Sequence, residues 1–319
     1  MTAVSKPAAR WTVDARTAPG LYPGVPHADY VADPVTGGSL SSSGVRRLLP
    51  PRGTPEKFRW WADHPDDKTS GVFDVGSAAH REVLGVGPDI VVVEGTGKKG
   101  PEVWDTDAAR AAVEEVRAAG AVPVKPSTAV QVRDMAAALR RHGPARRSLL
   151  APPGSVRDVE VTGVWVDPDT GVACRLRADV LHRTGPLGPV LVEYKTTDDA
   201  SEEACARAMA RYGYHRQGAW YRRGLAQLLA VPAAKIRYVI VNQEKDPPYA
   251  IHVTAPSPLD MDRADRLNVA ALKLYAACTA AGAWPGYNDQ GVTATSVPMW
   301  AEYEEDAALV AAGEATAWT

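Results

Sequence analysis

Residues 177–197 read RADVLHRTGPLGPVLVEYKTT. Val190, Leu191 and Val192 form an aliphatic run bounded upstream by Gly185-Pro186 and Gly188-Pro189, and such a run reads as a buried strand. Side chains alternate along a strand, so Glu193 and Lys195 share a face, about 7 Å apart by the strand rise. The preceding segment, Cys174 to Leu181, alternates as well and puts Arg175, Arg177 and Asp179 on one face. The short Gly/Pro-rich connection makes the two segments antiparallel neighbours. Two carboxylates, Asp179 and Glu193, then converge with the Lys195 ammonium. Carboxylates that leave room for water suit Mg²⁺ or Mn²⁺. A lysine beside such an ion can orient or deprotonate a water for attack on phosphorus. The competing reading is a solvated Glu–Lys pair on an edge strand, and this stretch alone leaves both open.

Further stretches bear on the choice. The helix-like run FDVGSAAHREVLG (73–85) has three small residues in succession, Gly76, Ser77 and Ala78, which let a helix lie close to another backbone. Phe73, Ala79, Val83 and Leu84 supply its apolar side. His80 stands beside them, either packed or as a neutral ligand for a hydrated divalent ion. The run RYGYHRQGAWYRRGL (211–225) reads as one helix with Gln217 and Tyr221 four apart on one face and Tyr214 a turn before. It also carries Arg211, His215, Arg216, Arg222 and Arg223. Aromatic and amide groups beside cations suit a phosphate backbone with unstacked bases; an amphipathic helix with a solvated basic face fits the same residues.

Taken in order, helix G-S-A-x-H, the pair D-x13-E-x-K on adjacent strands and helix Q-x-x-x-Y, the chain resembles the PD-(D/E)-x-K nuclease superfamily in its RecB-like branch. Within it the chain most resembles the RecE-type exonucleases (exodeoxyribonuclease VIII) of phages and prophages. LSSSGVRRLL (40–49), DPDTGVACRLRADVL (167–181), DDASEEACARAMARYGYHRQGAWY (198–221) and AWPGY (283–287) fit that branch, and the likeness covers about residues 38–300. The resemblance implies metal ligands at His80, Asp179, Glu193 and the main-chain carbonyl of Tyr194. It implies a catalytic Lys195, with Gln217 and Tyr221 as accessory groups, and Mg²⁺ as the ion, Mn²⁺ substituting. Arg211, His215 and Arg216 would then face nucleic acid. One departure is Glu193, where the superfamily often has Asp; the charge is kept and one methylene is added. Glu160, in VRDVEVTGVWV (156–166), is a weaker candidate for the site, and the preferred reading is a solvent-facing strand residue.

Composition fits an ordinary globular enzyme, with 45% hydrophobic and 23% charged residues in 319. No apolar run approaches the length of a membrane span, and the first residues lack a signal-peptide core. The three cysteines are widely spaced, which argues against disulfides, a zinc ribbon or an iron–sulfur cluster, and for a reducing cytoplasm. A net charge of −2 is modest for a DNA-binding protein. Local clusters offset it: Arg46, Arg47, Arg52, Lys57 and Arg59; Arg133, Arg140, Arg141, Arg146 and Arg147; and the Arg211–Arg223 stretch. Acidic residues gather at Glu302, Glu304, Glu305 and Asp306. A basic channel within a near-neutral body would confine DNA without promiscuous binding.

The expected fold is α/β (or α+β), a central mixed β-sheet flanked by helices. An irregular arm over residues 1–37 precedes a nuclease domain over 38–300 and an acidic tail over 301–319. The expected strands are 90–94, 156–166, 172–182, 189–196, 235–243 and 249–253. The expected helices include 41–49, 55–64, 105–119, 127–142 and 258–281, with a last one in the tail. GTGKKG (95–100) lacks the spacing of a phosphate loop and reads as a turn. The expected function is metal-dependent hydrolysis of DNA, by resemblance 5′→3′ digestion of one strand from a duplex end. The resemblance further implies a ring-shaped homo-oligomer around DNA and a single-strand annealing protein as partner. A nuclease acting on single strands or internally, and a catalytically silent DNA-end-binding protein, are the alternatives; digestion of linear against circular duplex separates them.

Overall fold

A computed structural model describes residues 10–51, 53–64, 71–150, 156–185, 188–288 and 291–313. The strands are β1 (Gly20–Tyr22), β2 (Ile90–Val92), β3 (Val122–Val124), β4 (Arg157–Val166), β5 (Ala173–His182), β6 (Val190–Thr197), β7 (Arg237–Glu244) and β8 (Ile251–Thr254). The helices are α1 (His27–Val31), α2 (Ser42–Leu48), α3 (Pro55–Asp63), α4 (Gly71–Leu84), α5 (Asp107–Ala118), α6 (Pro126–Arg141), α7 (Gly143–Leu149), α8 (Glu202–Tyr212), α9 (Tyr214–Leu228), α10 (Pro258–Ala281) and α11 (Met299–Ala311). Arg52, Pro186 and the side chain of Phe73, each used in reading the sequence, lie outside the described residues. The chain divides into two units, Met1–Trp284 and Pro285–Thr319. The second holds α11, whose first turn carries Glu302 and which buries none of its residues.

The first unit is built on a six-stranded mixed sheet, ordered β1-β4-β5-β6-β7-β8. All neighbours are antiparallel except β6 and β7, which run parallel. That parallel step needs a crossover, and α8 and α9 supply it. The β4–β5 hairpin closes at D-P-D-T-G. There the Asp167 carboxylate accepts from the amide and hydroxyl of Thr170, and Gly171 takes the positive φ of 70° that the turn requires.

Alternation along β6 sorts the core into two layers. Leu191 packs with Trp165, Trp220, Leu225 and Leu272 beneath α2, α3, α9 and α10. Val192 and Tyr194 pack with Ala78, Ala79, Met135 and Leu149 beneath α4, α6 and α7. Glu193 and Lys195 have the parity of Leu191, so they rise on the α9 side. Helix α9 lies close because its contact positions are glycines: a Cβ built on Gly218 would enter the Tyr238 ring, and one on Gly224 would stand 2.7 Å from Trp165. We expect Gly218→Ala to lower stability by about 1–3 kcal/mol, the usual range for overpacking. The urea midpoint should fall with an unchanged slope; an unchanged midpoint would mean that the helix can shift freely.

Several expectations need correction. The stretch 211–225 is not one helix: α8 ends on Gly213, which adopts a left-handed backbone (φ 71°), and α9 starts at Tyr214. Arg211 therefore belongs to α8. Nor do the arginines form one solvated row. Arg222 donates to the Ala233 carbonyl, and Arg223 pairs with Asp167 and Asp265. Within the first 37 residues the structure has β1 on the sheet edge and α1, with Val13, Ala15 and Val35 packed on Val164. Three paired residues and a local cluster leave no period for a sequence reading to detect.

Candidate active site

Strands β5 and β6 pair only at Val180↔Val192, Leu181↔Leu191 and His182↔Val190. Beyond that point they part, and the next residues in register are Asp179 and Glu193. Their carboxylates take up the backbone amides freed by the fork: Tyr194 N donates to Asp179 Oδ2 at 2.8 Å, and Asp179 N to Glu193 Oε1 at 3.4 Å. A buried amide left without a ladder partner needs such an acceptor. Both acidic side chains are thereby held in the fork and buried, Glu193 wholly so.

Glu193 is the hub. Lys195 Nζ and Gln217 Nε2 each donate to its Oε2 at 2.8 Å, and Gln217 Nε2 also stands 3.1 Å from the Tyr221 hydroxyl. Lys195 Nζ lies 3.9 Å from Asp179 Oδ2 and 5.6 Å from the Tyr214 ring centre. Burial, followed by the Asp179 charge, pushes the Glu193 carboxyl up to about 7. For Lys195 burial works downward, but Glu193 and Asp179 outweigh it and hold the ammonium above its ordinary range. The lysine is therefore a fixed cation. Its Nζ is turned to both carboxylates, as a hydrogen-bond donor to Glu193 and an ion-pair partner of Asp179.

His80 enters from the opposite layer on α4. Its Nε2 donates to the Tyr194 carbonyl at 3.0 Å, and its Nδ1 faces Glu160 Oε1 at 3.7 Å. Asp179 and Glu160 raise the imidazole pKa against the burial that would lower it. The expectation for Glu160 fails: only 15% of its side chain is exposed, and its other oxygen accepts from Arg177 Nε at 2.6 Å. Burial alone would raise the Glu160 carboxyl, but His80 and Arg177 bring it down to about 2.

The cause of this placement is in the backbone. Glu160 stands opposite Asp179 between the pairs Val159↔Val180 and Val161↔Ala178, with no ladder pairing of its own, and has a left-handed φ of 51°. A non-glycine residue rarely adopts that conformation, and it marks constrained sites. The alternation of both strands changes phase there: Val161 and Ala178 join the layer beneath α9, while Val159 and Val180 join the other. Groups from both faces of the sheet can then meet at the fork.

Among the described residues one group of acids and imidazoles has ligand atoms close enough to hold an ion, namely His80, Glu160 and Asp179, all within 4.8 Å of one another. Two carboxylates and an imidazole are a fitting donor set for a hard divalent cation. Glu193 borders the group on the Lys195 side of Asp179. The Tyr194 carbonyl is taken by His80 in this arrangement.

Other sequence candidates are near but not within the cluster. Arg216 is half-buried with Nε and Nη2 lacking partners among the described residues, Arg211 is exposed, and His215 Nδ1 lies 3.3 Å from the Met209 carbonyl. Sequence reasoning missed two groups on α1. The Tyr30 ring spans Arg175 and Arg177, at 5.5 and 5.8 Å. The pKa of His27 is lowered by desolvation and then by the Arg177 charge. No spacing in residues 10–37 signals either contact, because it depends on the pairing of β1 with β4, far away in the chain.

A fork with Asp and Glu-x-Lys on its two prongs, between one helix bearing His and another bearing Gln, is the arrangement of a PD-(D/E)-x-K nuclease. Residues 101–292, more than half of the chain, match the PDDEXK-like domain of unknown function (DUF3799), and the chain belongs to that family. No curated protein is a match. Of solved structures, a candidate exonuclease from Eubacterium rectale is similar, with 12% identity, a TM-score of 0.49 and coverage of 83% of this chain and 92% of its own. SSO0001 is also similar, with 14% identity, a TM-score of 0.26 and coverage of 64% and 85%.

Proposed function

We propose that the chain is a Mg²⁺-dependent exodeoxyribonuclease that digests one strand of duplex DNA from its end, 5′→3′. The observation that carries the nuclease part is the meeting of Asp179, Glu193 and Lys195 at one fork with His80 and Glu160 beside them. His80, Glu160 and Asp179 would hold the ion, with Glu193 bordering it. A bound Mg²⁺ would supply a water of lowered pKa and draw charge from the phosphorus centre. Lys195, held cationic by two carboxylates, orients the attacking water and offsets charge on a phosphate oxygen. Gln217 and Tyr221 keep the Glu193 carboxylate turned toward Lys195. End dependence, polarity, a ring of copies and an annealing partner follow from the resemblance to RecE-type enzymes alone.

The test is digestion of an end-labelled linear duplex with Mg²⁺ beside a covalently closed circle of the same sequence. Linear DNA should be degraded and the circle should survive, with a 5′-terminal label released early and a 3′-terminal label late. Comparable cutting of the circle would make the enzyme an open-cleft endonuclease. Tight end binding with no cutting of either would make it a silent end-binder.

A further inference from the structure

Helix α3 presents an indole that the fold does not use. It buries Phe58, yet Trp60 is 63% exposed and stacks on His64 with ring centres 4.6 Å apart and planes within 14°. Beside it the Arg47 guanidinium covers Trp61 at 4.0 Å, and Arg47, Glu56, Lys57, Trp60 and Trp61 line an open pocket. An exposed, pre-stacked aromatic surface flanked by cations suits the flat face of an unpaired base. The Glu56 carboxylate within the lining disfavours a phosphate at that spot and favours a neutral base.

Helix α2 joins this surface to the candidate active site. Arg47 turns to α3, while its neighbour Arg46 turns to the junction of α8 and α9, where its Nη2 donates to the Arg211 carbonyl at 3.4 Å. A Cβ built on Gly213 would lie 3.2 Å from the Arg46 side chain, so the arginine crosses the junction closely. Arg216 lies alongside with two buried nitrogens unpartnered among the described residues. Two guanidinium groups side by side, one short of acceptors, call for an anion. The next residue past the junction is Tyr214, whose ring faces Lys195 and stacks on Tyr212 at 5.6 Å.

We infer that an unpaired DNA strand runs from the active site over α2, one phosphate against Arg46 and Arg216 and a base stacked on Trp60. The choice of DNA rests on the proposed nuclease reading; the stacking surface rests on α2 and α3. Duplex DNA does not fit this surface, since its bases are already stacked on one another.

The test uses the full chain without metal, so that nothing is cut, and reads the anisotropy of a labelled thymidine oligomer and of an abasic oligomer of equal length. Wild-type protein should bind the thymidine oligomer roughly tenfold more tightly, within the range of base–aromatic stacking. Trp60→Ala should bind both alike, and Trp60→Phe should restore the difference. Arg46→Gln and Arg216→Gln should weaken both oligomers equally and flatten the salt dependence. A base preference that survives in Trp60→Ala, or is absent in the wild type, overturns the inference. So does a shift to smaller species in sedimentation of Trp60→Ala with unchanged oligomer binding, which would assign the surface to a second copy of the chain. Base preference lost in Trp60→Ala alongside inert linear duplex would sustain the stacking surface and sink only the nuclease reading.

Discussion

Lys195→Ala should cut linear duplex roughly 10²–10⁴-fold more slowly than wild type, the range for a positioned proton-transfer or orienting group. Its binding of DNA ends should remain near normal, because Lys195 would supply only one of several proposed contacts to the strand. Removing one partner of a buried ion pair often costs about 3–5 kcal/mol, but Glu193 has two ways to soften the loss. Gln217 still donates to Oε2 at 2.8 Å, and the carboxyl, already pushed up to about 7, rises further and accepts a proton. Folding should therefore persist, visible as a cooperative thermal transition. Cleavage by the alanine variant at near wild-type rate would remove Lys195 from the chemistry, whatever its position in the fork.

Asp179→Ala should abolish activity and weaken Mn²⁺ binding, measured by calorimetry, by more than the roughly 10–100-fold that loss of a supporting partner brings. It removes a charged donor and also the acceptor for the Tyr194 amide. Glu193→Ala should likewise lose activity and affinity. His80→Ala should lose less affinity, since a neutral imidazole adds no net Coulomb attraction. Glu160→Gln becomes informative through its position: it keeps the shape while deleting the charge shared with His80 and Arg177, and affinity should fall by an amount between those for His80→Ala and Asp179→Ala. Unchanged Mn²⁺ affinity in Asp179→Ala would exclude that residue from the ion site.

Much of the site was legible because it obeys local rules. Strand parity alone puts Glu193 and Lys195 on one face, and helical spacing alone pairs Gln217 with Tyr221; both pairs are in contact in the structure. Helix α10 was readable to its ends, with Ser257 capping it by accepting from the Asp260 amide and Gly282 ending it in a left-handed backbone. The break between α8 and α9 had a signal too, the glycine of Tyr-Gly-Tyr (212–214), but a periodic run of small and basic residues masked it.

Glu160 is different. Its neighbours alternate like any strand, and nothing in V-E-V-T-G-V announces a left-handed residue. The left-handed residue stands across from Asp179, and its contact with Arg177 joins residues seventeen apart in the chain. By itself the sequence determined the fold class, the Asp179, Glu193 and Lys195 constellation and the helix that serves it, because these depend on periods of two and 3.6 residues. Only the tertiary structure decided that Glu160 joins His80 and Asp179, that α1 reaches the site, and that Arg46 meets Arg216. Those encounters depend on where strands part and helices cross, and no local pattern encodes the meeting of segments far apart in the chain.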